Sequence, residues 1–164
     1  MKFLGVFVCL MALFYTLTQF QFFKETVFKW NIQINAILSN WILHVLQQDT
    51  RVEGSKIMSS EFVVDIHRGC DALEPIAFFV FALIAFPAPA KRKVWGIVVG
   101  SLLLFGLNLV RIVSLYLVGL KSEKLFDFLH ADIWQVLFIL VAIVLWGVWS
   151  FWATQTRPPA VEVS

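Results

Sequence analysis

The feature that most constrains this chain is residues 3–23, about 21 positions without a single charge. As a helix, a stretch of that length crosses a hydrocarbon core of roughly 30 Å. Three further apolar runs follow at 72–88, 94–120 and 133–153. Of the 164 residues, 60% are hydrophobic and 15% charged, and a soluble fold of this size has too little interior to hide so much apolar surface. The expected fold is therefore an all-α integral membrane protein, a single multi-pass membrane domain over 1–164 with about four transmembrane helices, its solvent being membrane lipid. A leader that is cleaved away has a shorter apolar region and a small-x-small exit, so 3–23 reads as a retained anchor.

The segment between the first two runs, 24–69, has a different composition. Within 31–48, Gln33, Asn40, His44 and Gln47 fall on one arc of a helical wheel, with Ile34, Leu38, Ile42 and Val45 elsewhere. That pattern predicts a helix lying in the interface or packed on the bundle, with a fifth span as the alternative. After it, Val63, Asp65 and His67 alternate with Phe62, Val64 and Ile66, and Gly54 supplies a turn, which predicts a small β-hairpin. Trp134 at one end of the last run and Trp149 and Trp152 at the other read as interfacial belts. The tail TRPPAVEVS reads as loose.

Orientation follows from Lys91, Arg92 and Lys93, three cations in a link too short to ignore in the positive-inside rule. They are placed in the cytoplasm, with both termini. Residues 24–69 and 121–132 then face outward from the cytoplasmic membrane. A formal net charge of +2 with no basic face gives no reason to expect nucleic acid. Cys9 and Cys70 fall at opposite ends of the bundle, too far apart for a disulfide.

With that topology, residues from three distant places arrive on the outer side. Cys70 stands at the start of the second run, His130 just before the last, and Arg111 about 14 Å beneath the outer end of the third, within snorkelling reach of the interface. Thiol, guanidinium and imidazole suit acyl transfer. A helix N-terminus and a nearby cation favour the thiolate, histidine moves a proton near working pH, and arginine can hold an oxyanion. Asn108 shares the helix face of Arg111 and is placed to bind a substrate carbonyl or orient the guanidinium. Asp71 and Glu74 are the acids available to pair with Arg111 or orient His130. His44 and His67 read as structural.

Two alternatives stay open on the residues alone. Arg111 paired with Glu74 would suit a non-enzymatic membrane assembly subunit. His67 and Cys70, with Asp71, His130 and Asp132, are residue types that bind zinc and would suit a metal-dependent membrane peptidase, although neither HExxH nor paired CxxC is present.

GCDALE entering one run, NLVRI within the next and HADIWQ opening the last resemble the cysteine, arginine and histidine motifs of the exosortase/archaeosortase family of membrane transpeptidase-like enzymes. The hairpin VEGSKI fits that layout, and the small size resembles the compact exosortase H type. The resemblance covers roughly 52–141. It implies a substrate that is an exported protein with a C-terminal sorting signal: a short motif, a hydrophobic helix and a basic tail. Cys70 would be the nucleophile, His130 the general acid and base, and Arg111 the stabiliser of thiolate or oxyanion, with no cofactor or metal. Many members have glycine where this chain has Ala72.

Overall fold

The computed structural model describes residues 2–155; Met1 and the tail read above as loose lie outside them. Six α-helices and one small sheet follow in the order α1 (Lys2–Gln19), α2 (Lys29–Val45), β1 (Arg51–Glu53), β2 (Lys56–Met58), β3 (Val63–Asp65), α3 (Leu73–Ala85), α4 (Ala90–Gly119), α5 (Glu123–Phe128) and α6 (Trp134–Thr154). Two π-helical turns join neighbours, Phe23–Phe28 between α1 and α2 and Leu129–Ile133 between α5 and α6.

Three helical stretches are long and apolar enough to cross a membrane: α1, α4 and the continuous run from α5 through α6. The fourth expected one is shorter. α3 has 13 residues, about 20 Å of helix. Its limits have local causes. Phe86 is extended ahead of Pro87, as a residue before proline tends to be, and Ala72 at the other end is left-handed with φ 59°. α3 lies in the middle of the bundle, packed on α1, α4 and α6. The contact with α4 is close because Gly96 and Gly100 present no side chain there: a Cβ on Gly100 would come within 2.1 Å of the Phe79 ring.

One end of the bundle gathers the beginning of α1, the turn between α3 and α4, and the end of α6. Phe3 meets Phe86 and Trp146 there, and the Arg92 guanidinium donates to the Ala153 carbonyl at 2.8 Å. At the opposite end α2 and the sheet cover the bundle. The sheet is an antiparallel meander, β1-β2-β3, with Val52 opposite Ile57 and Ile57 opposite Val64, so it has one strand more than the expected hairpin. The Gly54 turn marked the β1-β2 hairpin, and period-two alternation in 62–67 marked β3.

α2 packs on α4 with a face of Asn35, Ala36, Ser39 and Leu43, all buried, and leaves Trp30, Ile34 and Trp41 exposed. Of the expected polar arc, Gln33, His44 and Gln47 are exposed and Asn40 is half-buried, while the buried seam contains an asparagine and a serine that the wheel did not single out. Trp134 and Trp149 are buried in helix packing, not arrayed as belts, and only Trp152 of that group is exposed. The Trp149 indole N–H donates to the Arg92 carbonyl at 3.1 Å, which gives the buried ring a protein partner. Two hydrophobic clusters result, one around Phe79, Leu83, Leu104 and Phe138, the other around Leu43, Ile57, Ile66 and Tyr116. The candidate residues lie at the junction between them.

Candidate active site

Three separate elements deliver the thiol, the imidazole and the guanidinium. Cys70 occupies the turn between β3 and α3, its backbone N–H bonded to the His67 carbonyl, after Gly69 at φ 90°. A positive φ at Gly69 and Ala72 reverses the chain tightly enough to sink the thiol beside α4. His130 sits in the π-helical turn Leu129–Ile133, where the extra residue re-aims side chains relative to an α-helix. Its ring stacks on Phe126 at 5.6 Å with planes 2° apart, and Phe126 packs in turn on Phe62. Arg111 comes from the middle of α4 and is 5% exposed.

The Cys70 Sγ lies 3.5 Å from His130 Nε2 and 4.0 Å from Arg111 Nη2. Arg111 also donates from Nη1 to the Gly69 carbonyl and from Nη2 to the His130 carbonyl, both at 3.4 Å, and its guanidinium carbon stands 5.6 Å from the centre of the Phe138 ring. It does not snorkel. The guanidinium ties the loop bearing the thiol to the turn bearing the imidazole. No carboxylate pairs with Arg111 among the described residues, Asp71 and Glu74 included. A buried cation without a counter-ion is costly unless something anionic arrives beside it.

The acids lie elsewhere. Asp71 is 1% exposed, its Oδ1 accepts from the Leu73 N–H at 3.3 Å, and its Oδ2 has no partner among the described residues. Burial pushes the Asp71 carboxyl up, with the Leu73 N–H pulling against it. Glu74 lines a groove beside Arg111. His67 is exposed and faces Asp65, with Nδ1 3.6 Å from Oδ1. His44 reaches the Thr50 carbonyl at 2.6 Å and closes the turn after α2. Among the described residues no group of three or more His, Cys, Asp and Glu side chains is disposed to hold a metal ion.

Asn108 serves the nucleophile's backbone. Its Nδ2 donates to the Cys70 carbonyl at 2.9 Å and to Asn35 Oδ1 at 3.0 Å, rather than facing the guanidinium. Asn31 donates to the Asp71 carbonyl at 2.8 Å, and Asn35 reaches the same oxygen at 3.4 Å. Three asparagines from α2 and α4 therefore clamp the two carbonyls that follow the thiol. The sequence reading did not single out Asn31 and Asn35. Their i, i+4 spacing, off the polar arc of Gln33, Asn40 and His44, was the available signal.

Burial pushes the Cys70 thiol up, Arg111 pulls it down and Asp71 adds to the rise, with burial the largest influence. The expected thiolate is therefore not the resting form. A thiol held against an imidazole, in a pocket where a guanidinium faces the sulfur, can be deprotonated as it attacks.

A model of the transmembrane exosortase family matches residues 2–147, which takes in α1 to α5 and most of α6, with Cys70, Arg111 and His130 inside the match. No curated protein and no solved structure matches the chain. On that coverage, the chain belongs to the transmembrane exosortase family of membrane transpeptidase-like enzymes.

Proposed function

We propose that this protein is a membrane cysteine transpeptidase or protease that cleaves C-terminal sorting signals of exported proteins at the outer face of the cytoplasmic membrane. The observation that carries the reading is the meeting of Cys70, His130 and Arg111 from three elements, with Sγ 3.5 Å from the imidazole. His130 takes the thiol proton as Sγ bonds to the scissile carbonyl carbon. The carbonyl oxygen becomes an oxyanion and Arg111 faces it. Collapse breaks the C–N bond, His130 returns the proton to the leaving amine, and the acyl group remains on Cys70 as a thioester. An acceptor nucleophile, or water, then gives its proton to His130, attacks the thioester and releases the thiol. Asn31, Asn35 and Asn108 hold the nucleophile's turn throughout.

Orientation enters the reading through Lys91, Arg92 and Lys93, at the end of the bundle opposite the thiol. With those cations in the cytoplasm, Cys70 faces outward, where exported proteins arrive. The test is co-expression with an exported protein that carries a motif, an apolar helix and a basic tail, comparing wild type with Cys70→Ala at matched membrane abundance. Cleavage by the wild type alone supports the reading. Equal cleavage by both removes the thiol from the mechanism.

A further inference from the structure

Beneath the thiol an open groove runs down the bundle. α1 and α6 both pack on α3 but stand apart from each other until Phe3 meets Trp146 near the far end. A cavity of about 520 Å³ lies in its upper part, with Gly69 and Arg111 at its head and Glu74, Gln135 and Tyr15 on its walls. A second cavity of about 250 Å³ continues downward between Phe7 and Trp146, sharing Phe78, Ala142 and Ile143 with the first. The charged and amide side chains line only the upper cavity; the lower one is lined by apolar and aromatic side chains.

We propose that this groove is the docking track for the apolar helix of the peptide substrate, the segment that follows the scissile bond; the proposal rests on the acyl-transfer reading above. Continuity is the first argument. Arg111 is both 4.0 Å from the Cys70 sulfur and part of the groove's head, so a chain whose carbonyl meets the thiol passes directly into the groove. Depth is the second. Arg111 sits about 12 Å beneath the end of α4, by helical rise over the eight residues to Gly119. A lipid extended from the interface would bring only acyl carbons beside Arg111, Glu74 and Gln135 at that level. A polypeptide entering its helix there has backbone N–H and C=O groups still without helical partners, which these side chains can meet.

Below that level the walls suit a helix face. α6 contributes Gln135, Phe138, Ile139, Ala142, Ile143 and Trp146, the i, i+3, i+4, i+7 stripe of one helix side. Ala142, at the waist where the two cavities join, lets an incoming backbone approach closely.

The experiment uses the full chain in bilayers with a designed substrate: a folded domain, a linker, an apolar helix of leucine and alanine, and a lysine tail. In the enzyme, Ala142→Phe fills the waist. In a Cys9→Ser, Cys70→Ser background, Ile143→Cys is tested for disulfide crosslinking to single cysteines placed along the substrate helix. The expected result is a drop in cleavage of tenfold or more for Ala142→Phe, with alkylation of Cys70 by a small soluble reagent unchanged. Crosslinks should recur every three to four substrate positions.

Cleavage within twofold of wild type together with no periodic crosslinking overturns the docking track and leaves the acyl-transfer reading standing. Periodic crosslinking to a substrate that the wild type never cleaves upholds the track and overturns the chemistry. Labelling of the Ile143 position only by a photoreactive phosphatidylethanolamine acyl chain assigns the groove to lipid and overturns the proposal.

Discussion

Replacing Asn108 by leucine, a side chain of similar volume, tests how the thiol is held. The Asn108 amide is fully buried, and its Nδ2 serves the Cys70 carbonyl at 2.9 Å and Asn35 Oδ1 at 3.0 Å. The substitution removes both bonds and leaves two acceptors without them. Polar bonds between membrane helices average about 0.6 kcal/mol, while an orphaned buried acceptor costs about 1–3 kcal/mol where nothing replaces its partner. Two such losses, partly relieved by relaxation, amount to about 1–3 kcal/mol. Asn35→Leu removes the same interhelical bond together with its reach to the Asp71 carbonyl. The double variant should therefore fall short of additivity by about 0.6–1 kcal/mol, the worth of the shared bond. Unfolding by denaturing detergent in mixed micelles measures all four proteins, and timed alkylation of Cys70 in the folded state measures the site. Both variants should slow Cys70 turnover more than they change substrate affinity, because they loosen the nucleophile and not the groove. Strict additivity, or a stable Asn108→Leu protein with unaltered alkylation and turnover, would refute the clamp.

The pH dependence of that alkylation follows from burial raising the Cys70 thiol above its ordinary value. The thiolate is then scarce at neutral pH, so the rate should climb about tenfold per pH unit from roughly pH 6.5 to beyond 8.5, with no plateau below the ordinary thiol value. A rate already level near pH 7 would mean that Arg111 outweighs burial. At Ala72, φ 59° and almost complete burial leave little room for a branched side chain. Ala72→Gly should stay within about 1 kcal/mol of wild type, the lost methyl offsetting the relieved strain, whereas Ala72→Val should lose about 2 kcal/mol or more in the same unfolding assay.

Much of the architecture could be read from the order of residues because hydrocarbon imposes length and charge rules that leave few choices. The uncharged run at 3–23 and the long apolar run at 94–120, broken by the single charge of Arg111, became α1 and α4, and an amphipathic pattern at 31–48 became α2. The order of Cys70, Arg111 and His130 along the chain, once folded through alternating spans, put them at one end, where the structure brings them together. The remainder depends on tertiary relations that no local pattern encodes. Hydropathy does not reveal that α3 stops after 13 residues and is surrounded by neighbours. Arg111 was expected to snorkel because an isolated helix would require it; enclosed between two loops, it finds carbonyls instead. Asn35 reads as an ordinary polar residue until α2 docks against α4 and makes it half of a buried amide pair. The thiol's ionisation was read from its charged neighbours, whereas burial, which depends on the whole fold, outweighs them.

The central claim, that Cys70 carries an acyl group during turnover, is tested most directly by intact mass measurement of the membrane enzyme quenched in acid during cleavage of a sorting-signal substrate without added acceptor. The account predicts a mass increase equal to the substrate's N-terminal fragment less water, located on Cys70, released by neutral hydroxylamine and missing from Cys70→Ala. Cleavage that proceeds with no such adduct in the wild type, or an adduct that persists in Cys70→Ala, would contradict it.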